Sequence, residues 1–181
     1  WPTPDLFYSN GMYSLGYAEE VVLPIRIDAD QTGDLALSGD ILIGICEEIC
    51  IPVTLSFETL LPEAGAPDAA ISAAMAATAV PARLAQVGQV TCQVVPIDDG
   101  VRLTAEITMP SAGEEEFVVI ETADPTVWVS QAETTRANGE LQASVDMVNL
   151  SGAPFVVDRS GIRITVLGGT RAIDIRGCSA P

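Results

Sequence analysis

Apolar and polar positions trade places every second residue over most of this chain, the pattern of half-buried strands. Between Val21 and Asp28, Leu23, Ile25 and Ile27 share one face, opposite Val22, Pro24, Arg26 and Asp28. Ile41, Ile43 and Ile45 face one way, while Leu42, Gly44 and Cys46 face the other. Across Cys50 to Phe57, Ile51, Val53, Leu55 and Phe57 oppose Cys50, Pro52, Thr54 and Ser56. The stretch Asp30 to Asp34 reads as a turn between the first two runs. The pattern then changes. Pro62 to Pro67 reads as a linker, and the Ala-rich stretch Asp68 to Thr78 as a helix entered by Pro67 and Asp68. Val80-Pro81 is expected to end or kink it. Alternation resumes in Val101 to Met109, Leu141 to Val145 and Ile162 to Val166, with turns at Asn138-Gly139 and Gly168-Gly169.

These elements predict a mainly β protein in three segments. Residues 1–64 form a β-rich module, 65–87 a linker helix and 88–181 a second β-sandwich domain, near the size of an immunoglobulin-like domain. The first segment has few strands for a sandwich, so strands upstream of Trp1 are expected. The chain opens on Trp1 without a visible signal peptide and reads as a mature chain or a fragment.

Composition narrows the chemistry. The 181 residues carry 25 acids against eight Arg, a net charge of −17, and no histidine. So acidic a surface repels phosphate backbones and anionic headgroups, which argues against nucleic acid and membrane-surface partners. No segment is long and apolar enough for membrane insertion. Without histidine there is no Ser-His-Asp or Cys-His relay and no histidine-ligated metal. Glu114-Glu115-Glu116 reads as a solvated loop, and the acids show no Ca²⁺-loop spacing. What remains for chemistry is four cysteines, many carboxylates and some hydroxyls, and nothing in the sequence points to a carboxylate pair.

Cys46-Glu47-Glu48-Ile49-Cys50 is a CxxxC at an expected hairpin tip. A three-residue loop makes the thiols cross-strand neighbours, roughly 4.5–5.5 Å apart at Cα, within reach of a disulfide. Cys92 shares a face with Val90 and Val94 and points into the second domain, where Cys178 can reach it. Loop closure separates the two bridges. A loop of about five residues stabilises by roughly 2 kcal/mol, and one spanning nearly the whole second domain by roughly 4.5 kcal/mol. Cys92–Cys178 therefore reads as a structural disulfide and Cys46–Cys50 as the exchangeable pair. Glu47 and Glu48 disfavour a thiolate, so exchange would depend on a partner's thiolate. Two alternatives stay open at the CxxxC. One is a plain hairpin disulfide in a secreted two-domain β-sandwich whose bridges are both structural. The other is a Cu(I) site, for which histidine or a nearby methionine to complete the ligand set is missing.

The stretch Gly44-Ile45-Cys46-Glu47-Glu48-Ile49-Cys50-Ile51-Pro52 resembles the active-site hairpin of the N-terminal periplasmic domain of DsbD-type thiol:disulfide interchange proteins, and more closely that of ScsB-type proteins. Trp1-Pro2-Thr3-Pro4-Asp5-Leu6-Phe7, Gly16-Tyr17 and Val21-Val22-Leu23-Pro24 resemble the segment that precedes it. The resemblance covers about residues 1 to 60 and implies an immunoglobulin-like periplasmic module that needs no cofactor. Such a module relays reducing equivalents from a membrane electron-transfer protein, through a thioredoxin-like donor, to thioredoxin-fold clients. It implies a protein-disulfide reductase-like activity with Cys46 and Cys50 as the redox pair, Cys50 forming the mixed disulfides. Phe7 is implied as the aromatic cap that shields the bond, with Asp5 and Tyr8 beside it. The second domain carries no motif of this family, and the chain has neither membrane helices nor a thioredoxin-like CxxC of its own.

Overall fold

The computed structural model describes residues 1–9, 11–30, 32–47, 49–169 and 171–181. Strands β1 (Asp5–Ser9) and β2 (Met12–Gly16) form a hairpin, and β3 (Leu35–Cys46) and β4 (Cys50–Leu61) a second, longer one. Helix α1 (Ala69–Ala76) follows. The remaining strands are β5 (Val80–Pro81), β6 (Val90–Ile97), β7 (Gly100–Thr108), β8 (Phe117–Glu121), β9 (Val127–Val129), β10 (Glu133–Ala137), β11 (Glu140–Asn149), β12 (Arg163–Leu167) and β13 (Ala172–Arg176). The chain divides into two compact units, Trp1–Val21 with Ala77–Pro181, and Val22–Ala76. This differs from the segments drawn along the sequence. The first 21 residues are grouped with the distant second domain, and the CxxxC hairpin with the helix.

The first unit contains a β-sandwich. One sheet runs β10-β11-β7-β6, with β9 also paired to β11, and the other runs β5-β13-β12-β8. Each strand alternates as the pleat requires. Leu103, Ala105 and Ile107 of β7 join Leu141, Ala143, Val145 and Met147 of β11 in the core, against Val118, Ile120, Ile164, Val166, Ile173 and Ile175 of the other sheet. Each fully buried Leu or Ile stabilises by roughly 1.5–3 kcal/mol relative to exposure. The β10–β11 turn places Asn138 and Gly139 at φ 53° and 82°, the left-handed pair that a two-residue hairpin favours. Residues 1–21 are tied to this unit by Thr3 N–H donating to Ala77 O at 2.9 Å and by the Tyr13 ring 5.3 Å from Phe117.

The second unit is the β3–β4 hairpin with α1. Twelve residue pairs run from Leu35↔Leu61 to Cys46↔Cys50. Asp68 caps the helix, its Oδ1 accepting from Ala70 N at 2.8 Å and Ile71 N at 3.0 Å.

Three expectations need amendment, and a fourth falls partly outside the described residues. Val21–Asp28 alternates but pairs with no strand, because alternation records which side chains are apolar while a strand needs a neighbour's backbone. The helix stops at Ala76, and Val80–Pro81 pairs in parallel with Ile173 and Asp174 of β13 rather than kinking it. Glu116 is not solvated: its side chain is 7% exposed and takes two hydrogen bonds from Arg136 and one from Ala112 N. In the expected turn Asp30 to Asp34, Gln31 lies outside the described residues.

Candidate functional site

The CxxxC is placed by its hairpin. Because β3 and β4 hold register through twelve pairs, Cys46 and Cys50 fall opposite each other where the strands end. They are bonded, with Cα atoms 4.0 Å apart. Inside the loop, Glu47 N–H donates to Ile49 O at 3.2 Å. Glu48, the other acid of the motif, lies outside the described residues.

Side chains directly opposite in an antiparallel pair share a face, so the two faces of the hairpin differ in chemistry. One carries Leu35, Leu37, Ile41, Ile43, Ile45, Ile51, Val53, Leu55, Phe57 and Leu61. The other carries the cystine together with Asp40, Ser56 and Glu58, with Ser56 Oγ donating to Asp40 Oδ1 at 2.5 Å. Both cysteines are exposed, and Ile45, Ile49 and Ile51 around them are 58%, 72% and 55% exposed. The arrangement offers an exposed sulfur pair at the hairpin tip, open to in-line attack by an external thiolate.

Cys92 and Cys178 are also bonded, with Cα atoms 5.7 Å apart and a sequence separation of 86. Their surroundings are the opposite. Cys92 is fully buried in the sandwich core. Its N–H donates to Ser179 O at 2.8 Å, and its carbonyl accepts from Arg159 Nε at 2.9 Å. Cys178 N–H donates to Arg159 O at 3.1 Å, and Ser179 N–H to Val90 O at 3.0 Å. Residue 179 thus lies as a parallel bridge beside β6, held from both ends of the bond.

Asp5, Phe7 and Tyr8 belong to the first unit, whereas Cys46 and Cys50 belong to the second. On β1, Asp5 and Phe7 share a face. Tyr8 lies on the other, its ring 4.8 Å from that of Tyr13, which in turn meets Phe117. Phe7 is 39% exposed and Tyr8 65%.

Two features of the first unit had no sequence signal. A cleft of about 460 Å³ is lined by Trp1, Pro4, Tyr17 and the outer face of the β8–β12–β13 sheet. Tyr17 Oη donates to Pro2 O at 2.8 Å, and burial raises its pKa above the ordinary value. In the same cleft Asp174 accepts from Arg163 Nε at 2.6 Å and Arg176 Nε at 3.1 Å. Burial pushes the Asp174 carboxyl up, but the two guanidiniums outweigh it and hold it below the usual range. Among the described residues, no three His, Cys, Asp or Glu side chains converge as a metal site requires, and no helix is long and apolar enough to cross a membrane.

No family model matches the chain, and no curated protein matches it in sequence. Among solved structures it is similar to the N-terminal periplasmic domain of ScsB from Proteus mirabilis, with a TM-score of 0.64 and 19% identity, over 99% of this chain and 72% of that one. The likeness shows a shared fold, mainly β and with an immunoglobulin-like sandwich in the first unit, in keeping with the domain that the sequence resemblance names.

Proposed function

We propose that this chain is a periplasmic thiol–disulfide exchange module whose centre is Cys46–Cys50. In this reading it relays reducing equivalents from a thioredoxin-like or membrane-borne donor to thioredoxin-fold clients. The observation that carries it is the exposed cystine at the tip of a registered hairpin. The fold it shares with a periplasmic ScsB domain supports the compartment and the class of chemistry.

The mechanism is covalent. A donor thiolate attacks one sulfur of the pair; that bond forms as the Cys46–Cys50 bond breaks, and the departing sulfur leaves as a thiolate. The donor's second thiol, as thiolate, then displaces the attached cysteine. The donor departs oxidised and Cys46 and Cys50 are left as thiols. Toward a client the same steps run in reverse, with Cys50 forming the mixed disulfide and Cys46 resolving it. Cys92–Cys178 is proposed as a purely structural link.

Titration against graded dithiol buffers, read by thiol alkylation and mass spectrometry, tests this. Cys46–Cys50 is expected to open well before Cys92–Cys178, and the Cys46→Ser variant is expected to trap a thioredoxin-fold partner through Cys50. Equal resistance of the two bonds would instead favour a β-sandwich protein with two structural disulfides.

A further inference from the structure

The 55 residues of the hairpin unit carry nine Asp and Glu against one Arg, a net charge of −8. The other 126 residues hold the remaining 16 acids and seven Arg, a net charge of −9 in more than twice the length. The one cation of the hairpin unit, Arg26, is committed to Asp28, donating through Nε and Nη2 to its carboxylate at 3.1–3.2 Å. From Ile27 to Ala76 the sequence holds no positive side chain. The acids of the paired strands also fall on one side. Both acids of the paired strands, Asp40 and Glu58, share the cystine's face, and Glu47 stands next to Cys46 in the loop.

We infer that the Cys46–Cys50 bond is selective for electropositive thiol partners: it exchanges with a protein whose attacking cysteine sits in a basic surface, and disfavours small anionic thiols such as glutathione. The inference rests on the exchange reading above and adds to it the chemistry of the partner. Two effects act in the same direction. Negative potential lowers the local concentration of an anionic attacker and raises that of a cationic one. It also opposes the thiolate that leaves when the disulfide breaks, a charge that a basic partner neutralises. Distance ranks the contributors. Six residues of strand put Asp40 roughly 20 Å from Cys46. That exceeds the Debye length of about 8 Å at physiological ionic strength but falls inside the roughly 30 Å at 0.01 M. Glu47 therefore acts at any salt, and the strand acids act only at low salt.

Three small monothiols with different tails provide the test: 2-aminoethanethiol, 2-mercaptoethanol and 3-mercaptopropionate. Each is used on the intact protein, and its rate is normalised per thiolate to its rate on a neutral small disulfide. Two thiols are consumed for each protein disulfide reduced; the first forms the mixed disulfide and the second releases it as the small disulfide. Opening of Cys46–Cys50 is followed by alkylation. The expected order is cationic, neutral, anionic, with a cationic-to-anionic ratio of about tenfold or more at 0.01 M ionic strength. The ratio should narrow at 0.5 M salt, and narrow at all salts in the Glu47→Gln variant. Equal normalised rates at 0.01 M ionic strength would overturn the inference while leaving the exchange reading intact. A bond inert to all three thiols would overturn both, a different result from equal rates.

Discussion

The two units bury their side chains very differently. In the sandwich unit, alternate residues of seven strands, β6, β7, β8, β9, β11, β12 and β13, are sealed into one core. Among the described residues of the hairpin unit, Ala74 alone is buried, and many apolar side chains of β3 and β4 remain half or more exposed. Each unit nevertheless has one disulfide. In the sandwich the bond adds to an order that burial already provides. In the hairpin, the strand ladder and the bond at its end supply most of the order, since an isolated two-stranded hairpin is only marginally stable. Structure held by few buried contacts opens locally at low free energy, which suits the exchange proposed for the Cys46–Cys50 bond.

The largest expected effect separates the two bonds. Replacing Cys92 and Cys178 together by Ala removes a long loop closure worth about 4.5 kcal/mol, a fall of about 10–15 °C in the midpoint of the sandwich transition. Replacing Cys46 and Cys50 by Ala removes about 2 kcal/mol from the hairpin alone and should leave that midpoint in place. Calorimetry of the two double variants checks this. Similar shifts would mean that the units unfold as one.

A core truncation tests the same contrast without touching sulfur. Leu103 is fully buried on β7, so Leu103→Ala should cost about 3 kcal/mol. Leu42 is 72% exposed on β3, and Leu42→Ala should change stability by less than about 0.5 kcal/mol. Denaturant unfolding followed by far-ultraviolet circular dichroism, which reports the strands of both units, reads both.

How much of this was open to sequence reasoning differs between the units for a physical reason. The register at Cys46↔Cys50 was legible because a three-residue loop between two alternating runs leaves little choice of pairing. Buried faces of β7, β11 and β12 were legible because their polar residues alternate cleanly. What escaped was long-range. Residues 1–21 belong with a sheet whose strands lie a hundred residues on, and no local pattern around Tyr13 points to Phe117. Glu116 looked like the end of a solvated acidic run because its partner, Arg136, is 20 residues away. The cleft around Asp174 likewise draws its charges from three strands that only pairing brings together.

Glu116 supplies a pH-dependent test that should act on the sandwich alone. Burial raises its carboxyl pKa, but hydrogen bonds from Arg136 and Ala112 and the guanidinium charge outweigh burial, leaving it below its ordinary 4.5. The folded form thus favours the ionised carboxylate. Its contribution is complete above the unfolded value and is lost as pH falls through the depressed folded value. Glu116→Gln should cost about 2 kcal/mol at pH 7, where the variant loses a charge-assisted pair, and much less near pH 3. Thermal midpoints of both proteins at the two pH values measure the convergence.

The smallest expected effect matches one substitution across the two units. Gly139 in the β10–β11 turn and Gly33 ahead of β3 both have positive φ, 82° and 97°, and a Cβ at either would meet no atom within 4 Å. Alanine at each site therefore acts through backbone strain, about 1 kcal/mol, and not through a clash. At position 139 the strain bears on a turn that joins two core-forming strands, so it should appear in the sandwich midpoint as a fall of about 2–4 °C. Asparagine, which tolerates the left-handed region better, should recover part of it. At position 33 the neighbouring backbone forms no strand, and the same substitution should leave the sandwich midpoint unmoved. A Gly33→Ala shift as large as that of Gly139→Ala would show that the hairpin unit melts with the sandwich, and would remove the energetic separation on which the proposed difference between the two bonds depends.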